Sequence, residues 1–259
     1  MTAPTDTGAG AGPAAQYVYG VTRADSDLPG ELTGLDGRPV TLIAHQDCAA
    51  LTSDLPAGRP LGERSDLLAH QHVLEALLEA GTVAVPFRFG AALAGPEAVE
   101  KELLAANADR LTQILDQLDG RLEMRVRGTY VQDAVLRELL TDDPQIADLN
   151  ARLRQIPEDA ADAAYYDRVR LGEMIAHALE QRREHDAQAL LEPLAGAAEA
   201  TVRKQPARED DVVDAAFLID AARREHFENT VRELGAAHAD RITLRLIGPL
   251  PPYDFVPEA

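Results

Sequence analysis

The chain has no tryptophan, one cysteine, two lysines and three serines among its 259 residues. Each scarcity excludes something. A single cysteine, Cys48, permits neither an intrachain disulfide framework nor an all-cysteine metal site. The two lysines, Lys101 and Lys204, lie in no phosphate-binding loop, so P-loop chemistry is not expected. None of Ser26, Ser53 and Ser65 sits in a Gly-x-Ser-x-Gly elbow, which leaves hydrolysis by a serine nucleophile without support. No run approaches the roughly 18 apolar residues of a membrane helix. The first 15 residues, rich in Ala, Gly, Thr and Pro, have no basic region or apolar core. They read as a flexible leader and not as a signal peptide, and a soluble, cytoplasmic protein is expected.

Negative charge is what the chain has in excess. The net charge is −19 and the pI is near 4.7. Nucleic acid and anionic membranes both demand a basic surface, so neither binding to nucleic acid nor membrane insertion is expected. The simplest reading of the acidity is a solvated, self-repelling surface. The length suits one large domain or two ordinary ones.

The pattern along the chain is α+β in both halves. Tyr17–Val21 and Val40–Ala44 are short β-prone runs joined by a loop with Pro29, Gly30, Gly34 and Gly37. A second loop, with Pro56, Gly58, Pro60 and Gly62, leads to a helix from about Ser65 to Gly81 whose Leu67, His70, Leu74, Leu77 and Leu78 share one face. Val83–Gly90 alternates as a strand, and Pro86 places it on an edge or at a bulge. Pro96 opens a long helix that keeps a 3–4 apolar spacing to Gly120. A strand at Arg121–Arg127 follows, then helical patterns at about 130–140, 145–156 and Tyr165–Leu191. A weak strand at 197–204, a stronger one at Asp211–Ile219, a helix at about 221–236 and a final strand from Arg241 complete a β-α-β-β-α-β order, the ferredoxin-like arrangement. Two domains are expected, 16–120 and 121–247, with a tail at 248–259. In that tail, Gly248 is expected to break the strand, and three prolines within four residues to leave an extended arm carrying Tyr253 and Phe255.

No constellation specifies a reaction. Cys48 follows His45 by three residues, but a catalytic pair needs proximity in space and not in sequence. His70 and His72 diverge on their helix and cannot chelate together; His70 falls on the apolar face, as a satisfied core or interface histidine does. Glu184-His185-Asp186 reads as a solvated face, and Glu209-Asp210-Asp211 as an acidic loop at a strand start. No cofactor, metal site or catalytic residue is expected.

The tail Gly248-Pro249-Leu250-Pro251-Pro252-Tyr253-Asp254-Phe255 resembles the terminal signature of the gas vesicle protein F/L family, Gly-Pro-Trp-Pro-Pro-Tyr-x-Phe. Three further segments agree in order and spacing. Tyr17-Val18-Tyr19-Gly20-Val21 is similar to the family's first strand, His70 with Val73 and Leu74 to its first helix, and Val85-Pro86-Phe87-Arg88-Phe89-Gly90 to its Pro-Phe-Arg-Phe-Gly segment. The match spans about residues 16–256. Leu250 departs from it, since leucine fills less of a pocket than the usual tryptophan.

The resemblance implies a ferredoxin-like N-terminal domain, a modified ferredoxin-like C-terminal domain and a tail packed back on the body. It implies a non-enzymatic role in forming gas vesicles, through binding the small hydrophobic main shell protein and other gas vesicle proteins. Under it, Phe87, Phe89, Tyr253 and Phe255 are either core or the lining of a subunit-binding surface. Two other readings stay open on the residues alone: a small-molecule enzyme or sensor on ferredoxin-like domains, and a general protein-interaction adaptor.

Overall fold

The computed structural model describes residues 14–55, 60–157, 164–208 and 210–257. The leader expected over 1–15 therefore lies almost wholly outside the described residues, as do Pro56 and Gly58 of the second loop and Glu209 of the acidic loop. The chain is a mixed α/β protein with two antiparallel sheets. It divides into two compact units, one comprising residues up to Leu122 together with the segment from Pro249, the other Glu123–Gly248.

The first unit is built on β1 (Gln16–Arg23), β2 (Thr41–His45), β3 (Cys48–Asp54), β4 (Ala84–Pro86) and β5 (Ala92–Leu93). The sheet order is β2-β3-β1-β4, and β5 also pairs with β1. The short run of β1 is apolar on both faces, and Tyr17, Val18, Tyr19 and Val21 are all fully buried. β3 was not expected, because Ala49, Ala50 and Ser53 carry little β propensity. It is a strand because it lies between β1 and β2 with both faces covered, where small residues fit and larger ones would not.

Helix α1 (Arg64–Glu79) begins with a capping box between Glu63 and Asp66. Within it Asp66 accepts the amide of Glu63 at 3.1 Å, and it accepts that of Gly62 as well at 3.0 Å. That turns Asp66 inward, so the buried face runs through Asp66, His70, Val73, Leu74 and Leu77, while Leu67, expected on it, is 48% exposed. The long helix expected from Pro96 is in three parts: α2 (Pro96–Ala98), a π-helical stretch at Val99–Ala105, and α3 (Ala106–Leu118). The strand expected over Val83–Gly90 is paired only at β4, with Pro86 on the sheet edge, where its missing donor faces away from β1.

The second unit contains β6 (Arg121–Tyr130), α4 (Gln132–Asp142), α5 (Pro144–Arg154), α6 (Tyr165–Gly196), β7 (Ala200–Arg203), β8 (Asp211–Asp220), α7 (Arg224–Ala237) and β9 (Ile242–Leu250), with sheet order β7-β8-β6-β9. On β8, Phe217 meets Phe227 of α7 with ring centroids 5.2 Å apart. Two sequence expectations are corrected here. Asp186 is no part of a solvated face: it is 1% exposed and accepts from the Tyr130 hydroxyl at 2.8 Å and from Arg241 at 2.9 Å. The last strand does not end at Gly248 but runs through Pro249 to Leu250. β9 is an edge strand, so the missing amide of Pro249 removes no ladder bond on its open side. Beyond it the arm is not wholly extended, since Tyr253–Phe255 form one turn of 3-10 helix.

Candidate functional site

The segments singled out in the sequence meet around one imidazole. His70 projects from the buried face of α1 and is 4% exposed. Its Nδ1 lies 2.9 Å from the Tyr17 hydroxyl, and its Nε2 lies 3.0 Å from the Phe87 carbonyl and 3.2 Å from the Tyr253 hydroxyl. A carbonyl can only accept, so Nε2 carries the ring proton and Nδ1 accepts the proton of Tyr17. Tyr17 Oη in turn accepts the Gly90 amide at 3.1 Å. Burial pushes the Tyr17 phenol up to about 12, which keeps its proton in place. Burial also lowers the His70 pKa, against a smaller opposing effect of the Phe87 carbonyl, so the ring is neutral at neutral pH.

The Pro-Phe-Arg-Phe-Gly segment owes its shape to this arrangement. β4 pairs with Gly20–Thr22 of β1 and β5 with Gln16–Tyr17. The residues between them bow away from β1, held by Phe87 N–H to the Tyr19 carbonyl and Val18 N–H to the Ala91 carbonyl, both 2.9 Å. Gly90 stands in the bow at φ +102°, a conformation that L side chains rarely adopt. Gly20 permits the close approach of β4: a Cβ there would fall 2.6 Å from the Val85 carbonyl oxygen.

Aromatic packing closes the junction. Tyr17 and Tyr19 meet edge-on at 4.9 Å, Tyr19 stacks on His70 at 5.7 Å, and Phe89 lies 5.8 Å from His70. Tyr19 is fixed at its far end by Ser53 Oγ and the Leu35 amide, both at 2.8 Å. Ser53 and Leu35 carried no signal in the sequence, since their role depends on a partner strand and loop distant in the chain. Pro251 and Pro252 are buried, and Tyr253 and Phe255 half-buried. The two prolines, with Leu74, Leu77, Pro86 and Leu118, bound a residual space of about 30 Å³. That is a packed contact with no room for a ligand. Phe87 and Phe89 are half-buried and Arg88 is exposed. Pro249 and Leu250 are half-buried at the end of β9. Gly248 is not at the junction: it lies in the second unit beside Met124 of β6.

Among the described residues the clefts of the second unit show no converging set of reactive groups. One of about 810 Å³ in the second unit is lined by Asp142, Arg182, Asp186 and Arg241. Arg182 pairs there with Glu138 and Asp142 at 2.8 and 3.2 Å and Arg241 with Asp186 at 2.9 Å, while Asp143 caps α5 by accepting the amides of Gln145 and Ile146. Among the described residues no group of three or more His, Cys, Asp or Glu side chains is placed to hold a metal ion, and no helix is long and apolar enough to cross a membrane.

Fold and junction thus define a two-unit α/β protein whose motif residues hold backbone segments together around a neutral histidine. Residues 15–257 match the family model described as gas vesicle synthesis protein GvpL/GvpF, and the chain belongs to that family. It is 34% identical to gas vesicle protein F of Streptomyces sp. (strain CB03234), over 93% of this chain and 98% of that protein. It is 32% identical to gas vesicle protein L of the same strain, over 93% and 92%. Its fold is that of the crystal structure of the gas vesicle protein GvpF from Anabaena sp. PCC7120, with a TM-score of 0.84, 23% identity and coverage of 95% of this chain and 99% of that one. Its role is therefore a gas vesicle-related one.

Proposed function

We propose that the protein is a non-enzymatic assembly factor or minor structural component of gas vesicles that binds the main hydrophobic shell protein in the cytoplasm during vesicle formation. The observation that carries this reading is the junction itself. The four segments that bear the family resemblance, from Tyr17 to Phe255, converge on His70 and spend their polar groups on one another. Such an arrangement shapes a surface and exposes no reactive group. Half-buried Phe87, Phe89 and Phe255 then serve as both packing and contact surface beside the tail. An acidic carrier that repels its own copies suits a partner that aggregates through apolar surface. Both units are ferredoxin-like domains in this reading; support comes from their strand orders, β2-β3-β1-β4 and β7-β8-β6-β9, which are the same permutation of strands taken in chain order.

The test is capture of the main shell protein by the full chain, by a chain truncated after Ile247, and by the point variant Phe255→Ala. Loss of capture and of vesicles in both variants, with circular dichroism unchanged in Phe255→Ala, is the expected result. Normal buoyancy with a folded truncated chain sinks the role of the tail.

A further inference from the structure

Strand β9 ends the order β7-β8-β6-β9, and among the described residues only β6 pairs with it. The hydrogen bonds at its start identify the open side. The Val131 amide donates to the Arg241 carbonyl at 2.8 Å, while the Ile242 amide turns the other way, to the His238 carbonyl at 2.8 Å. In an antiparallel ladder this direction alternates from residue to residue. Thr243 and Arg245 therefore face β6 with their backbone groups, and Leu244 and Leu246 turn theirs to the open edge. Such a row of donors and acceptors is a template for another strand.

Side chains alternate too, between the two faces of the sheet. A Cβ at Gly128 of β6 would lie 3.0 Å from Leu244 and 3.6 Å from Ile242, and one at Gly235 of α7 would lie 3.8 Å from Leu244. Ile242, Leu244 and Leu246 thus face α7. A groove of about 460 Å³ opens between them and α7, with Val231 and Gly235 on its helical side. Its charged members are Glu228, which Arg224 holds at 2.7 Å, and exposed Arg232, which donates to Asn229. The opposite face of β9 carries Thr243 and Arg245, both exposed. On that face β6 adds Arg125 and Arg127, which share Asp214 of β8, and Glu123 is buried at the start of the strand. An apolar groove lies on one face of the edge and cations on the other.

We propose that β9 takes up an extended segment of another protein along its open edge, antiparallel to itself. That segment has apolar residues over the α7 groove and acidic residues, alternating with them, opposite Arg245. The backbone edge sets the partner's conformation and the two faces set its alternation. A second copy fits poorly. Antiparallel pairing of β9 with its own copy, Leu244 opposite Leu246, sets Arg245 against Arg245 and brings together two chains of net charge −19. The inference stands on β9 and α7 alone and does not require the shell protein as the partner.

The test uses the full chain and a short fluorescein-labelled peptide in which valine and glutamate alternate. Fluorescence anisotropy is expected to show saturable binding. Arg245→Glu is expected to weaken it about fivefold or more, because an attractive cross-strand pair becomes a repulsive one. Arg245 is exposed, so the variant keeps the wild-type circular dichroism. In antiparallel pairing the peptide residues opposite Leu244 and Leu246 both face the groove and bond to the edge. N-methylation of the valine amides is therefore expected to abolish binding, and N-methylation of the glutamate amides to leave it intact. Absence of saturable binding, or the same effect from both methylation patterns, overturns the proposal. So does a valine–lysine peptide that binds as tightly as the valine–glutamate one. A dimer in light scattering that the peptide dissolves also overturns it, by assigning the edge to a second copy.

Discussion

The Nε2 atom of His70 lies 3.2 Å from the hydroxyl of Tyr253, although 183 residues separate the two in the chain. The same nitrogen lies 3.0 Å from the Phe87 carbonyl, so one ring proton serves both a loop and the tail. Tyr253→Phe removes the phenol but leaves Nε2 its carbonyl partner. The expected loss is about 1 kcal/mol, near the net value of one hydrogen bond, and about 2–4 °C in Tm. A thermal melt reads it, and in a His70→Gln background the same substitution is expected to cost less, because the shared bond is already gone.

Stability is expected to fall with acidification in a window set by His70. Its pKa in the folded chain is lowered, chiefly by burial, so the unfolded chain binds the proton first. Stability is then fully present above the ordinary histidine value of about 6.5 and is lost as pH falls from there to the lowered folded value. Denaturant titrations of wild type and His70→Gln at several pH values isolate this contribution as their difference. An identical pH dependence in the two proteins would contradict it.

Gly20→Ala is expected to destabilise the first unit by about 1–3 kcal/mol, the usual cost of forcing an atom into a packed site. The added Cβ meets a backbone carbonyl, Val85 O, at 2.6 Å, and backbone cannot rotate aside as a side chain can. The midpoint of urea unfolding measures the cost.

In the second unit Arg125 of β6 grips Asp214 of β8 through two bonds of 2.7 and 2.6 Å, and Arg127 adds a third of 3.0 Å. Burial works against the Asp214 carboxylate, but the two guanidiniums outweigh it and hold the pKa below the usual value. Asp214→Ala leaves two partly buried cations facing each other, and a loss of about 3 kcal/mol is expected. Replacing Arg127 as well, as in Asp214→Ala with Arg127→Leu, is expected to restore part of it, since one uncompensated charge is then removed.

The helices and most strands were legible because their apolar residues recur at a fixed period, as His70, Leu74 and Leu77 do on α1. β3 was not, because its small residues are dictated by neighbours on both sides and not by any preference of its own. Asp186 was misread for a related reason: an acidic residue among arginines and glutamates looks solvated until Tyr130 of β6 and Arg241, just before β9, arrive over it. The junction was visible as four separate motifs, and His70 as a satisfied histidine. Its partners were invisible, since hydrogen bonds spanning 17, 53 and 183 residues leave no mark on local spacing.

The grouping of the segment from Pro249 with the unit that begins the chain has a consequence for synthesis. Translation runs from the first residue to the last, and a ribosome that has just made His70 must add 183 more residues before Tyr253 exists. The first unit therefore cannot close as it emerges, in the N-terminal-first manner usual for domains. It waits for the codons of the segment from Pro249 to Tyr253, so a message interrupted before them yields a chain whose opening strands are complete and whose latch is absent.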